Sequence, residues 1–348
     1  MKLRLLLASF LVIVISAGML IAYDYDQFVK SPLNIDPDES ILLDVRPGRS
    51  IKSIANELAN KNIIDRPRYL AWTARINGQS KRIQAGEYVL EKDTTPKQLL
   101  DILVNGKVRQ YSFTIIEGWN LSQVLQSAKS NENLKQVVGD VPANQLMQQL
   151  GQPADIHAEG WLFPDTYYFV RGETDTNVFL RAYDAMKQHL KNEWENREAG
   201  LPYKTPYEAL IMASIIEKET GKGEERAEIA GVFVRRLRKG MRLQTDPTVI
   251  YGVGEKFDGN LRRRDLRKDT PYNTYTRRGL PPTPIAMPGL AAIHAALHPA
   301  KGDSLYFVAK GDGSHVFSKT LKQHNEAVIK YQLKGRRKAF SSFADKSK

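Results

Sequence analysis

The sequence predicts an α+β protein that has a single N-terminal transmembrane helix, a small α/β subdomain and a larger mixed α+β domain. Three observations predict this class. An uncharged apolar run covers residues 5–23, close to the roughly 20 residues that cross a bilayer core. Strand and helix patterns alternate at short spacing over residues 41–107. Residues 108–340 mix long helical periodicities with short strands, and the total of 348 residues fits about two folded domains.

The charges around the apolar run predict how it crosses the membrane. Lys2 and Arg4 precede it in a short tip, residues 1–4, and Asp24 and Asp26 follow it. The positive-inside rule therefore predicts a cytoplasmic N-terminus and a chain that lies outside a bacterial inner membrane. A cleaved signal peptide is the alternative. The apolar part of a signal peptide is usually only about 7–15 residues long and ends in small residues. The run at 5–23 is longer and does not end in small residues, so we predict an uncleaved anchor.

Two polar segments are predicted to lie outside the folded domains. Residues 24–40 contain two prolines and are interpreted as a stalk. Residues 341–348 end a basic, serine-rich stretch and are interpreted as a flexible tail.

The composition excludes several kinds of catalytic and metal site and suggests the class of partner. The chain has a net charge of +12 and no cysteine. The lack of cysteine excludes disulfides, a thiol nucleophile and a cysteine-based zinc site. A basic chain suggests anionic partners, but a domain outside the membrane rarely meets nucleic acid, so we predict none. Lipid headgroups and cell-wall polymer are the anionic partners expected there. A merely solvated basic surface is the alternative.

The small subdomain, residues 41–107, is predicted from its strands and caps. Strands are predicted at 41–45 and 87–90, with helices between them that begin after Ser50 and at Pro67. A third helix has a predicted capping box and a glycine stop: Thr95, Pro96, Gln98 and Gly106. Two strands that flank two helices loosely resemble the LysM type of glycan-binding module. A packing module without a ligand is the alternative.

The larger domain, residues 108–340, is predicted to be mainly helical with a C-terminal hairpin. Residues 120–150 are predicted to be mostly helical, and a long helix is predicted at 176–197. The hairpin is predicted at 305–317, and a last helix is predicted to begin at Thr320.

One helix in this domain is predicted to be buried. Thr205, Pro206 and Glu208 form a strong helix start. Residues 209–216 are almost wholly apolar, and a helix without a polar face lies in a core. The helix is predicted to stop at Gly221.

Glu217 lies in the last turn of this buried helix. Apolar surroundings and the negative end of the helix dipole both raise a carboxyl pKa there, and a carboxyl that is protonated near neutral pH suits a general acid. Lys218 opposes both effects if its side chain turns back. A solvated glutamate at a helix end is the alternative interpretation. Glu219, two residues on, faces another side of the helix and is not predicted to pair with Glu217.

Other catalytic patterns are missing from the sequence. His294 and His298 are four residues apart on a predicted helix but lack an H-E-x-x-H motif and an evident third ligand. Ser214 lies in an apolar run without the G-x-S-x-G elbow, and there is no phosphate-binding glycine loop. We therefore predict neither a metal nor a cofactor.

Six motifs along the chain carry a resemblance to a known family. They are 159–167 (EGWLFPDTY), 213–220 (ASIIEKET), 243–248 (LQTDPT), 272–275 (YNTY), 279–285 (GLPPTPI), and Phe317-Ser318 with His324-Asn325. In sequence and order they resemble the membrane-anchored endolytic murein transglycosylases of the YceG-like family. The resemblance covers nearly the whole chain. Thr283 stands where glycine is commoner in such proteins.

The resemblance implies a reaction and its partners. Such enzymes cut inside peptidoglycan glycan strands, at the β-1,4 bond between N-acetylmuramic acid and N-acetylglucosamine, and leave a 1,6-anhydro end. It implies Glu217 as the catalytic acid/base, and because no water is activated, no second carboxylate is required. It also implies work at the inner membrane beside peptidoglycan synthases, as a terminase of glycan elongation.

The polar loops after Glu217 suit a sugar substrate, since amides, carboxylates and flat rings complement a carbohydrate. We choose Gln244, Asp246, Asn273 and Tyr275 as substrate-binding residues. Proline-stiffened loops whose polar side chains satisfy their own turns are the alternative. Two other functions stay open: a non-catalytic peptidoglycan-binding scaffold and a lysozyme-type muramidase.

Overall fold

The computed structural model describes residues 2–138, 141–153 and 155–333. It has the mixed α+β architecture that the sequence predicts, and the chain divides into two compact units. The first unit comprises Met1–Ser112 and Tyr168–Glu173, and the second comprises Phe113–Tyr167 and Thr174–Lys348.

Helices are the main regular secondary structure in the described residues of both units. The first elements are α1 (Lys2–Lys30), β1 (Ile41–Val45), α2 (Ile51–Asn60), α3 (Pro67–Ile76), β2 (Gly86–Leu90) and α4 (Pro96–Asn105). They are followed by β3 (Tyr111–Thr114), α5 (Leu121–Lys129), α6 (Ala143–Gln149), β4 (Thr166–Phe169) and α7 (Asp175–Glu195). The remaining elements are α8 (Pro206–Glu219), α9 (Arg226–Arg238), α10 (Asp246–Val253), α11 (Arg263–Arg267), α12 (Leu290–Leu297), β5 (Tyr306–Ala309), β6 (His315–Ser318) and α13 (Leu321–Tyr331). The strands pair as β1 with β2, β3 with β4, and β5 with β6.

The first unit confirms the predicted strands and caps. β1 and β2 are antiparallel with Leu43 opposite Tyr88, and both side chains are buried. Ser50 caps α2, and Thr95 and Gln98 form the predicted capping box of α4. These features were predictable because a cap or an alternating strand is specified by a few adjacent residues.

Helix α1 is longer than the segment predicted to span the membrane, residues 5–23. It continues to Lys30, so the first part of the predicted stalk is helical. The extension has partners on α3 and at its N-cap: Asp24 accepts a hydrogen bond from the hydroxyl of Tyr69 and pairs with the N-cap residue Arg66 at 2.8 Å. Among the described residues, α1 is the one helix long and apolar enough to cross a membrane.

Helix α8 is the predicted buried helix, and it packs against α7, α9, α10 and α12. Residues 209–216 are all buried, and Thr205 caps the helix start. The helix ends at Glu219, before the predicted stop at Gly221, because Thr220 adopts an extended backbone with φ −146° and ψ 135°. The last turn of α8 therefore reaches the edge of the core.

The rest of the second unit departs from prediction in one place. Residues 120–150 form two separate helices, α5 and α6, and the described residues between them are not helical. The long helix predicted at 176–197 is α7, and β5 and β6 form the predicted antiparallel hairpin. Thr320 and Gln323 form a capping box at α13. The predicted tail, 341–348, lies outside the described residues.

Candidate active site

Glu217 lies in the last turn of α8 with its side chain only 7% exposed. Its Oε2 accepts a hydrogen bond from the backbone N–H of Gly289 at 3.0 Å, and Arg226 Nη2 is 3.7 Å from Oε1. Gly289 is the N-cap residue of α12, so the positive end of that helix faces the carboxyl group. Glu217 is thus largely enclosed but has a fixed donor for its ionised form.

Backbone hydrogen bonds bring a loop after β3 against this turn. Gly118 N–H donates to Met287 O at 2.9 Å, and Met287 N–H donates to Trp119 O at 2.7 Å. Lys218 Nζ donates to Gly118 O at 3.0 Å, so its side chain does turn back from the helix end. The loop therefore holds Glu117 beside the catalytic candidate.

Glu117 is a second carboxylate at this site, which the sequence analysis missed. A Cβ added to Gly289 would overlap Oε1 of Glu117, so that carboxylate occupies the space a side chain would take. The same Gly289 holds Glu217. The one sequence signal was Glu117-Gly118 after a strand, which is also an ordinary turn pattern.

Burial raises the pKa of Glu217, as the sequence predicts. The Gly289 N–H lowers this pKa, the negative charge of Glu117 raises it, and the cations Arg226 and Lys218 lower it. The net direction is upward. The carboxyl group of Glu217 can therefore hold a proton at a higher pH than an ordinary glutamate and give it to a bound acceptor.

Glu219 faces a different part of the second unit, as the spacing predicts. Its Oε1 accepts a short hydrogen bond from the hydroxyl of Thr245, the residue before α10. Next along the chain, Asp246 Oδ1 accepts a hydrogen bond from the hydroxyl of Tyr275 at 2.5 Å. Burial raises the pKa of Glu219 to about 7. Two of the predicted substrate-binding residues, Asp246 and Tyr275, are therefore bonded to each other.

Gln244 is held in the left-handed backbone region, with φ 55°. The buried guanidinium of Arg236 donates to Leu243 O at 2.8 Å and reaches Gln244 Oε1 at 3.4 Å. Arg236 also donates to Leu305 O at 2.6 Å. Strain at a non-glycine residue persists only where the surroundings impose it, and here Arg236 contributes that constraint.

Asn273 turns inward in the structure, which does not favour direct contact with a substrate, and its substrate-binding role stays a prediction. It is 0% exposed. Its Nδ2 donates to three backbone carbonyls, those of Lys268 at 2.7 Å, Leu266 at 3.1 Å and Asp265 at 3.2 Å. Its Oδ1 accepts from the N–H of Tyr275 at 2.8 Å. The side chain satisfies its own loop, which is the alternative stated for such residues.

Glu159, the first residue of the 159–167 motif, is a buried carboxyl that the sequence analysis did not single out. It is 2% exposed and accepts from the N–H of Leu121, the first residue of α5, at 3.0 Å. It also accepts from the hydroxyl of Tyr251 at 2.9 Å. Burial raises the pKa of Glu159 to about 7.

The histidine pair at the end of α12, His294 and the C-cap residue His298, has a third potential ligand, contrary to the sequence interpretation. Glu193 of α7 has its Oε2 2.8 Å from Nδ1 of His294 and 3.7 Å from Nδ1 of His298. The two rings stack with centroids 4.1 Å apart and planes 18° apart. Imidazole lone pairs lie in the ring plane, so stacked rings do not aim at one ion, and a shared ion would require one ring to turn.

Comparison with known proteins identifies relatives along most of the chain. A protein named endolytic murein transglycosylase from Bacillus subtilis (strain 168) is 33% identical over 330 residues, covering 89% of this chain and 90% of that protein. A protein of the same name from Streptococcus pneumoniae serotype 2 is 27% identical over 360 residues, covering 93% of this chain and 64% of that protein.

A solved structure and a family sequence model also match this chain. The crystal structure of a YceG-like protein from Listeria monocytogenes has 31% sequence identity and a TM-score of 0.51, and the match covers 83% of this chain and 99% of that one. The sequence model of the YceG-like family matches residues 43–330. The chain belongs to the YceG-like family.

Proposed function

We propose that this chain is an endolytic lytic transglycosylase that cleaves the β-1,4 bond between N-acetylmuramic acid and N-acetylglucosamine within peptidoglycan strands. The observation that carries the proposal is the setting of Glu217, a carboxyl with a raised pKa whose ionised form has a backbone donor. The relatives named endolytic murein transglycosylase supply the substrate class.

In the proposed reaction Glu217 first acts as the acid. It gives its proton to the glycosidic oxygen as the bond to the muramic anomeric carbon breaks. The resulting carboxylate is stabilised by the N–H of Gly289 and by Arg226. Glu217 then takes the proton of the muramic C6 hydroxyl while that oxygen closes the 1,6-anhydro ring. The enzyme ends in its starting protonation state without consuming water.

Glu117 has an electrostatic role in this proposal. Its negative charge beside Glu217 favours the protonated form of the acid before the reaction. It need not attack the sugar, because the C6 hydroxyl is the nucleophile.

The loop before α10, the first residue of α10 and the loop after α11 are proposed to position the sugar. Gln244, Asp246 and Tyr275 are the candidates that retain exposed or half-buried side chains. Asn273 supports this group indirectly by fixing the loop from which Tyr275 projects.

The N-terminal helix supports a proposed location, and membership of the family supports the proposed partners. We propose that α1 is a single-pass anchor of a bacterial inner membrane, with its N-terminus in the cytoplasm. Residues 108–340 are then a catalytic domain outside the membrane, beside the peptidoglycan synthases, where cleavage of nascent strands would end their elongation. The β-α-α-β order within residues 41–107 supports a LysM-like glycan-binding role for the small subdomain.

Digestion of purified sacculi tests the reaction. The wild-type chain is expected to release muropeptides with anhydro ends, which mass spectrometry distinguishes because they are one water lighter than reducing ends. Glu217→Gln is expected to lower the rate by roughly 10²–10⁴-fold, the usual contribution of a general acid. The matched control is Glu224→Gln, an exposed glutamate nearby in the chain.

Three results would contradict the proposal in different ways. Reducing ends alone would indicate a lysozyme-type muramidase. Binding to sacculi without any product from the wild type would indicate a scaffold. Full activity in Glu217→Gln would show that the acid is another residue.

A further inference from the structure

Helix α3 exposes apolar side chains on a basic face. The residues on this face are Arg68, Trp72, Arg75 and Ile76, whose spacing of four, seven and eight places them on one side of a helix. Trp72 is 52% exposed and Ile76 is 79% exposed. We call these four residues the α3 face.

The α3 face lies beside the point where α1 leaves its apolar run. The ring of Tyr69 on α3 is 5.6 Å from that of Tyr25 and 5.7 Å from that of Phe28, both on α1. Trp72 continues this aromatic cluster, 6.0 Å from Tyr69. Thr73 bonds the hydroxyl of Tyr25 at 3.0 Å. α3 is therefore fixed to the first turns of α1 after the predicted span.

The sequence segment that contains this face carries charge of one sign. Residues 66–86 contain no acidic residue and five basic ones: Arg66, Arg68, Arg75, Lys81 and Arg82. Arg66 forms a salt bridge with Asp24 of α1. A helix that combines exposed tryptophan and aliphatic groups with arginine is typical of segments that lie in a membrane interface.

We propose that the α3 face rests on the outer surface of the same bilayer that α1 spans, and that this bilayer contains anionic phospholipid. Trp72 and Ile76 would lie at the boundary between headgroups and acyl chains, where tryptophan is enriched. Arg68 and Arg75 would extend their charged ends to lipid phosphates.

The bilayer is the occupant that the structure favours because it is continuous with the anchor. A face fixed at the end of a membrane-spanning helix meets lipid without any further partner. This contact would give the first unit a set orientation on the membrane, which one spanning helix alone leaves free to rotate. The inference goes beyond the proposed reaction and rests only on α1 being the anchor.

Single-cysteine labelling tests the contact cleanly, since the chain has no cysteine. Three variants of the full chain are compared: Ile76→Cys on the α3 face, Val14→Cys within α1, and Lys52→Cys on the exposed side of α2. Each carries a nitroxide spin label in vesicles of phosphatidylethanolamine and phosphatidylglycerol. Electron paramagnetic resonance then measures collisions with oxygen, which enters lipid, and with a water-soluble nickel chelate.

The label at Ile76→Cys is expected to show a ratio of oxygen to nickel collisions severalfold above that of Lys52→Cys and below that of Val14→Cys. If the label at Val14→Cys lies in lipid while the label at Ile76→Cys lies in water, the inference is overturned, and the α3 face serves a protein partner or none. A label at Val14→Cys that lies in water would overturn both the membrane anchor and the inference. Repeating the measurement in the Glu217→Gln variant shows whether the position of the label is independent of catalysis.

A second arm tests the role of charge. Replacing phosphatidylglycerol by phosphatidylcholine is expected to shift the Ile76→Cys label toward the aqueous value, and Arg68→Gln with Arg75→Gln is expected to do the same in anionic vesicles. An unchanged label in both cases would overturn the recognition of anionic lipid.

Discussion

The backbone N–H of Gly289 donates a hydrogen bond to Oε2 of Glu217 at 3.0 Å, from the N-cap of α12. Two helix ends therefore act on one carboxyl group: α8 presents its negative end and α12 its positive end. Burial disfavours ionisation while the Gly289 donor favours it. A group that must both give and regain a proton benefits from such opposed effects, because neither state is strongly disfavoured.

Removing the charge of Glu117 should change the pH dependence of activity. Glu217 acts first in its protonated form, so activity falls as pH rises through its pKa, which lies above the ordinary value of 4.5. Glu117→Gln lowers that pKa, and the alkaline limb of kcat/KM moves to lower pH. We expect a shift of less than about one pH unit, because Glu117 is exposed and water screens its charge.

The matched control for this change is Glu255→Gln, an exposed glutamate on the turn after α10. It should leave the alkaline limb in place. An unmoved limb in Glu117→Gln, or an equal shift in Glu255→Gln, would show that the field at Glu217 does not come from Glu117.

Gly289→Ala should reproduce the effect of Glu117→Gln without altering any charge. The new Cβ would overlap Glu117 Oε1. The carboxylate is the flexible end of an exposed side chain, so it is the group that moves. The backbone accepts alanine because φ at Gly289 is −75°. We expect the limb of kcat/KM to move to lower pH, with a loss of stability below about 1 kcal/mol from the poorer N-cap.

A double-mutant cycle checks this mechanism. Once Glu117→Gln has been made, Gly289→Ala should move the limb little further, because the two changes act through the same carboxylate. Additive shifts would instead show that alanine disturbs the Gly289 donor itself.

The position of Glu217 could be predicted from the sequence because local residues specify it. Thr205 and the apolar run 209–216 determine where α8 begins and that it is buried. Glu117 and Gly289 could not be assigned in the same way, because backbone hydrogen bonds between distant segments bring them to Glu217.

Polar loop residues show the second limit of sequence analysis. The sequence placed Asn273 and Tyr275 in one loop and gave both the same role. Asn273 turns inward to three carbonyls, and Tyr275 bonds Asp246. The same amide can bind a sugar or complete a turn, and only the position of its neighbours decides between them.

Glu159 should make the stability of the second unit depend on pH. Its pKa is about 7 in the folded chain against an ordinary 4.5. The fold thus favours the protonated form, and that contribution is complete below pH 4.5 and lost as pH rises through about 7. The difference corresponds to roughly 3 kcal/mol.

Glu159→Gln is expected to remove this loss. Its amide oxygen still accepts one of the two bonds, from Leu121 or Tyr251, so the variant should melt near the wild type at pH 5 and above it at pH 8. Thermal melting at both pH values measures this, with the exposed Glu326→Gln as control. A variant that melts below the wild type at pH 8 would show that the ionised carboxylate is the stabilising form.

Substitution of Asn273 should mainly lower stability, whereas substitution of Tyr275 should mainly weaken substrate binding. Asn273→Asp places a carboxylate against three carbonyl oxygens and is expected to cost about 3 kcal/mol or more in stability. Tyr275→Phe removes one hydroxyl that bonds Asp246, so it should cost about 1 kcal/mol or less and raise KM more than it lowers kcat. Melting temperatures with steady-state kinetics on soluble glycan strands test both. Equal melting temperatures for the two variants would contradict the buried role of Asn273, and an unchanged KM in Tyr275→Phe would remove Tyr275 from the sugar site.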